Sequence, residues 1–154
     1  MNETKLIGTL FKPRQKAIAE YGTHAEAIQE NVLHRLVGRA AETEWGKIYD
    51  YKHIGNYQDF QRVPVQTYEE IKGYVDRMRR GEKDVLWPGR VNWYAKSSGT
   101  TNDKSKFIPV SKDGLKGVHY AGGQDAVALY LQRYPESRLF SGKALILGGS
   151  HAPN

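Results

Sequence analysis

Tyr94-Ala-Lys-Ser-Ser-Gly-Thr-Thr-Asn-Asp-Lys-Ser-Lys106 is a run of hydroxyls, lysines and one glycine set between two short apolar segments. Trp93, Tyr94 and Ala95 read as the end of one strand, and Phe107-Ile-Pro-Val110 as the start of the next, so the loop between them is pinned at both ends. Gly99 reaches positive φ at little steric cost and lets backbone N–H groups turn toward an anion. Ser97, Ser98, Thr100 and Thr101 can donate to phosphate oxygens, while Lys104 or Lys106 supplies positive charge. The P-loop pattern G-x-x-x-x-G-K-[ST] fails, because its second glycine would fall at Lys104. A plain solvated hairpin stays open as the alternative, since Ser, Thr, Asn and Gly are common turn residues.

Upstream of the loop, Val63-Pro-Val65 leads into Thr67-Tyr-Glu-Glu70, a capping box that predicts a helix carrying Ile71, Tyr74, Val75 and Met78 on one face. Arg77, Arg79, Arg80 and Gly81 close it, where cations suit the carbonyl end of the helix dipole. With Lys83 these arginines form either a grip for an acidic partner or a solvated helix end. Trp87-Pro88-Gly89 marks a turn into the first strand. Further upstream, Ile28, Val32, Leu33, Leu36, Val37 and Ala40 recur at helical spacing and predict an amphipathic helix over about 23–41. Residues 43–61 mix Gly46, Gly55, Asp50 and Asn56 with Trp45, Tyr49, Tyr51, Tyr57 and Phe60, the pattern of a packed irregular connection whose rings anchor their own fold or stack on bases. Met1–Phe11 reads as a short amphipathic segment, and a new helix can begin at Pro13.

Downstream, Ser111 is a candidate cap for a helix whose stripe of Leu115, Val118, His119, Gly122, Ala126, Leu129 and Tyr130 runs to about Arg133. Gly122-Gly123 interrupts that helix, through a kink or the close approach of another backbone or a ligand. Pro135 ends it. Lys143-Ala-Leu-Ile-Leu147 is a short apolar run of the kind found in a strand covered on both faces.

The chain has 154 residues, 39% of them hydrophobic, enough for one domain with a core. Its net charge of +6 suits anionic nucleotides and phosphates as well as it suits nucleic acid or a membrane surface. The absence of cysteine excludes a disulfide framework, a thiolate nucleophile and a cysteine metal site. His24, His34, His53, His119 and His151 are scattered, so no protein metal site is expected. No stretch has the continuous apolar core of a signal peptide or a membrane span.

Lys96-Ser-Ser-Gly-Thr-Thr-Asn-Asp-Lys-Ser-Lys-Phe-Ile-Pro-Val-Ser111 resembles the ATP-phosphate loop of acyl-adenylate-forming enzymes, and more narrowly that of the GH3 family of acyl acid–amido synthetases. Asn102 stands where the general adenylating pattern has a second glycine, and Lys106 falls one residue later than its lysine, a spacing that fits the GH3 branch better. Val63-Pro-Val-Gln-Thr-Tyr-Glu-Glu-Ile-Lys72, Thr43-Glu-Trp-Gly46 and Leu145-Ile-Leu-Gly-Gly-Ser-His151 are similar to the same family's amino-terminal part.

The resemblance implies a helix-rich α/β fragment with few strands, from the large domain of an adenylate-forming enzyme. Its layout would be an amino-terminal segment over 1–22, a helical region over 23–90 and a strand–loop–strand–helix–strand over 91–154, all one incomplete domain. The implied reaction is activation of a carboxylic acid by ATP with Mg²⁺, followed by conjugation to an amine or amino acid. Ser97, Ser98, Gly99, Thr100, Thr101, Lys104 and Lys106 would hold the ATP phosphates, with Lys106 as the catalytic cation. The expected setting is cytoplasmic, with no nucleic acid or membrane partner, and the 154 residues alone are not expected to turn over. A non-catalytic nucleotide- or phosphate-binding module and a basic interaction domain remain as alternative readings.

Overall fold

The helix expected over 23–41 forms as α3 (Ala25–Ala40), preceded by α1 (Glu3–Leu10) and α2 (Lys12–Thr23) in a computed structural model that describes residues 3–97, 105–143 and 145. The chain divides into two units, Met1–Glu20 with Gly123–Asn154, and Tyr21–Gly122. The second unit carries the loop.

Within that unit, α3 buries Val37 and Ala40 but leaves Val32 and Leu36 exposed, so only part of the apolar stripe is covered. The connection over 43–61 is more regular than expected. Thr43 Oγ1 accepts the Gly46 N–H at 3.0 Å and Asn56 Oδ1 accepts the Asp59 N–H at 2.9 Å. These caps start two short helices, α4 (Glu44–Ile48) and α5 (Tyr57–Phe60), with a 3-10 turn at Tyr51–His53 between them. Each cap satisfies a backbone donor that a helix start otherwise leaves open. The aromatic rings of this stretch pack on one another and on the next helix, Trp45 lying 4.7 Å from Tyr49 and 5.3 Å from Tyr74, centroid to centroid.

Helix α6 (Tyr68–Arg79) starts at Thr67 as the capping box requires. The Glu70 carboxylate reaches back to the Thr67 N–H at 2.6 Å and its hydroxyl at 2.7 Å. At the other end Gly81 takes φ +96°, and the Glu82 N–H bonds the Arg77 carbonyl at 3.2 Å, a left-handed helix stop that favours glycine. Met78 of α6 forms a core with Val85 and Val91, and Tyr74, Leu86, Trp87 and Tyr94 pack around it. That core fixes the chain as it enters β1 (Trp93–Lys96), which pairs antiparallel with β2 (Phe107–Val110) in the register Trp93 to Val110 and Lys96 to Phe107.

Ser111 caps the next helix as expected, its Oγ accepting the Gly114 N–H at 2.9 Å. The helix runs as α7 (Lys112–Gly114), a π-helical segment (Leu115–Tyr120) and α8 (Ala121–Arg133). The irregularity therefore lies before Gly122-Gly123. Both glycines continue the helix, and a Cβ at either would meet nothing within 4 Å, so among the described residues no neighbour calls for their small size.

In the first unit, α1, α2 and α8 are tied by side chains. Arg14 forms a two-pronged ion pair with Asp125, its Nη2 at 2.7 Å from Oδ2. Gln15 Nε2 donates to the Ala128 carbonyl at 3.0 Å, and Lys5 pairs with Glu136 at 3.0 Å. Pro13 occupies the first turn of α2, where its missing N–H costs nothing, and α8 stops at Arg133, two residues before Pro135. Residues 144, 146 and 147 of the strand expected over 143–147 lie outside the described residues. Among the described residues, no helix is long and apolar enough to cross a membrane. Over the described residues the architecture is α/β, helix-rich with one small sheet.

Candidate functional site

The two strands place the ends of the Ser/Thr/Lys loop side by side. The Ser97 N–H donates to the Lys106 carbonyl at 2.9 Å, carrying the ladder one step past the strands. The Lys106 N–H is then taken by Ser97 Oγ at 2.9 Å. A serine at this neck thus acts as an acceptor that holds the loop's exit, and its hydroxyl proton is left to point elsewhere.

Antiparallel pairing alternates the direction of backbone groups along a strand. With Lys106 and residues 108 and 110 of β2 bonding toward β1 and its continuation, Phe107 and Pro109 present theirs to the outer edge. The Phe107 N–H donates to Tyr68 Oη at 2.9 Å, and the same hydroxyl lies 3.5 Å from the Phe107 carbonyl oxygen. Pro109 has no N–H to offer. Tyr68 is the first residue of α6, directly after the Thr67 cap, so the capping box that starts the helix also fixes where this tyrosine stands.

Side-chain chemistry converges on the same place. The Arg79 guanidinium carbon lies 3.5 Å from the centroid of the Phe107 ring, a stacking distance, and Lys96 Nζ lies 5.9 Å from that ring. Lys106 Nζ lies 5.7 Å from the Tyr68 ring centroid. Such contacts hold cations loosely through the ring quadrupole and leave their N–H donors available. Burial pushes the Tyr94 hydroxyl above its ordinary pKa, with Arg79 and Arg90 opposing through their charge. That hydroxyl donates to the Val91 carbonyl at 3.1 Å. Among the described residues no carboxylate lies within ion-pair distance of Lys96 or Lys106.

Among the described residues, three carboxylates around α6 pair with its arginines. Arg77 takes Glu44 at 2.9 Å and Glu82 at 2.8 Å, which holds both carboxyls below the usual glutamate range and raises the guanidinium further. Arg79 pairs with Asp76 at 3.4 Å. The arginine cluster at the end of α6 is thus divided, Arg77 working inside the fold and Arg79 reaching the hairpin.

Of the residues expected to hold phosphate, Ser97 and Lys106 are brought together at the neck, whereas Ser98, Gly99, Thr100, Thr101 and Lys104 lie outside the described residues. Two neighbours were not anticipated from sequence, Tyr68 and Arg79. Tyr68 sits inside the capping box and Arg79 in the basic run at the helix end, and neither motif by itself signals a contact with a strand nearly thirty or more residues away. Among the described residues, no three His, Cys, Asp or Glu side chains gather as a metal-binding group. His34 instead lies 2.6 Å from the Gly55 carbonyl through Nε2, and His53 pairs with Asp50.

The sequence profile described as the GH3 family N-terminal domain matches residues 14–152. Among individual proteins, the chain is 32% identical over 95 residues to indole-3-acetic acid-amido synthetase GH3.15 of Arabidopsis thaliana, covering 61% of this chain and 16% of that protein. It is 31% identical over 104 residues to indole-3-acetic acid-amido synthetase GH3.17 of the same plant, covering 66% and 17%. With 4-substituted benzoates-glutamate ligase GH3.12, also of Arabidopsis thaliana, it shares 27% over 107 residues, covering 69% and 19%. The matched part thus spans under a fifth of each of these relatives. A strand–loop–strand with a lysine at its exit that no described carboxylate neutralises and a profile match over nearly the whole length agree, and the chain belongs to the GH3 family, matching its N-terminal domain.

Proposed function

We propose that this chain supplies the nucleotide-phosphate element of an ATP-dependent acyl-adenylating enzyme, which activates a carboxylic acid and joins it to an amine or amino acid. The observation that carries the reading is the state of Lys106: half-buried, held at the loop's exit by Ser97, and without a carboxylate partner among the described residues. A lysine in that state is suited to an incoming polyanion. Lys96 and Arg79 add positive charge at the neighbouring Phe107 ring, and the Ser97 hydroxyl keeps a proton to donate. The amido synthetase and ligase names of the similar proteins point to the same class of reaction.

In this reading the acid's carboxylate oxygen attacks the α-phosphate, pyrophosphate leaves, and the acyl-adenylate is then opened by an amine. Both the approach and the departure are governed by charge, so fixed donors around the phosphates lower the barrier by positioning and by balancing charge as it develops. Ser97 and Lys106 hold the phosphates from the two sides of the neck, with Ser98, Gly99, Thr100, Thr101 and Lys104 supplying the remainder of the cradle. Mg²⁺ bound with the nucleotide would add charge neutralisation to these donors.

Calorimetric titration of MgATP into the chain and its Lys106→Ala variant tests the reading. A charge-assisted hydrogen bond is worth about 1.5–3 kcal/mol, so the variant is expected to bind at least about tenfold more weakly. No measurable binding by the parent chain, or equal binding by the variant, overturns it.

A further inference from the structure

We propose that Tyr68 is a positioning residue for Lys106, holding the lysine in its phosphate-facing place through the backbone of Phe107. The inference rests on the phosphate reading of the hairpin and assigns a role to a residue outside the Ser/Thr/Lys loop. Its basis is geometric. The hydroxyl of Tyr68 accepts the Phe107 N–H at 2.9 Å and lies 3.5 Å from the Phe107 carbonyl oxygen, so one atom addresses both backbone groups of the residue after Lys106. The peptide that joins Lys106 to Phe107 is planar, and fixing its N–H fixes the ψ of Lys106. From the other side of the same plane, the Lys106 carbonyl accepts the Ser97 N–H at 2.9 Å. The lysine's backbone is therefore clamped between β1 and α6.

The tyrosine also acts on the end of the lysine side chain. A lysine carries about 2 kcal/mol of rotamer entropy, which any fixed contact with phosphate must overcome. With the Tyr68 ring 5.7 Å from Nζ, the ammonium has a resting place that itself takes none of its three N–H donors. Tyr68 itself is set by the Thr67–Glu70 cap, and the Arg79 stack on the Phe107 side chain holds the strand residue from the opposite end of α6. The route from helix to lysine thus runs Glu70, Thr67, Tyr68, Phe107, Lys106.

A double-mutant cycle read by MgATP titration tests this. Tyr68→Phe keeps the ring and deletes the hydroxyl, and is expected to weaken MgATP binding about three- to tenfold, the range for one hydrogen bond. Lys106→Ala is expected to weaken it more, and the double variant no further than Lys106→Ala alone. A residue serving only general stability would instead give losses that add. Tyr68→Phe binding as tightly as the parent, or two losses that simply add, overturns the inference while leaving the phosphate reading intact. A parent that does not bind overturns the phosphate reading, and the inference with it. Should Tyr68→Phe fail to fold, hydrogen exchange on the parent decides. MgATP is expected to slow exchange of the Phe107 amide over the same nucleotide concentrations that shift the Lys106 side-chain resonances, and an indifferent Phe107 amide overturns the proposal.

Discussion

Gly46→Ala is expected to be among the most damaging single-methyl additions to this chain. Gly46 is buried in α4, and a Cβ there would overlap the Ala40 carbonyl oxygen, lie 2.9 Å from the Ala40 carbonyl carbon and 3.0 Å from Ala41 Cα. All three are backbone atoms, so no side chain can swing aside. The Ala40 carbonyl cannot move freely either, because it accepts both the Thr43 N–H at 3.0 Å and the Thr43 hydroxyl at 2.6 Å, and Thr43 is itself buried. Displacing it forfeits two hydrogen bonds at about 1 kcal/mol each, and the overpacking itself costs about 1–3 kcal/mol. Allowing for partial relaxation, the total is roughly 3 kcal/mol, or a fall in Tm of about 6–12 °C for a chain of this size. Urea unfolding followed by circular dichroism measures it, with the midpoint falling and the slope unchanged. Gly73→Ala is the control. A Cβ at this mid-helix position would meet nothing within 4 Å, so that variant is expected to gain about 0.5–1 kcal/mol. A loss below about 1 kcal/mol for Gly46→Ala would refute the steric argument.

Ser97→Ala removes the acceptor of the Lys106 N–H, and the Lys106 amide is expected to exchange with solvent about tenfold faster while the Ile108 amide, inside the ladder, is unchanged; equal protection at Lys106 would show that the serine does not hold the neck. Glu70 gives a pH-dependent effect. The Thr67 hydroxyl first, and its N–H second, hold the Glu70 carboxyl below its ordinary value, so its folded pKa is lower than its unfolded one. Its contribution to stability is then present above the ordinary glutamate range and lost as pH falls through the depressed value. The stability gap between the parent and Glu70→Gln is expected to be widest near about pH 7 and to close toward about pH 3, whereas a gap that is constant with pH would contradict the cap.

The features legible in the sequence were those whose cause is local. Thr67 and Ser111 announce their helices because a hydroxyl or carboxylate three residues away satisfies the exposed donors, and that spacing is written in the chain. The hairpin was legible because apolar segments flank a polar loop. Short helices α4 and α5 were missed because each spans only about a turn, too little for periodicity, although Thr43 and Asn56 were the available signals. The π-helical segment over Leu115–Tyr120 has no sequence mark comparable with Gly122-Gly123, which is ordinary helix. At the site, the hydroxyl of Ser97 suggests a phosphate donor from sequence, whereas its acceptor role toward Lys106 depends on a register that composition does not encode. Tyr68 was hidden for the same reason, since its partner is chosen by which edge of β2 faces α6.

That edge also explains how so small a sheet can carry a loop at all. Two strands alone are marginal in water and expose unpaired backbone on both sides. Here the outer edge of β2 has its two outward positions at Phe107, whose N–H is taken by Tyr68, and at Pro109, which has none. Neither offers a free N–H to a further strand. Beneath the sheet, Tyr94 packs on the Met78–Val85–Val91 core, and the Arg79 stack holds Phe107. The other face keeps Trp93 and Ile108 exposed, so what stabilises the hairpin within this unit comes from the α6 side. The contacts that close the edge are the contacts that set the direction of Lys106. Stability of the hairpin and geometry of the loop's exit are therefore one physical problem, and substitutions in α6 that never touch the loop are expected to alter the backbone direction of Lys106.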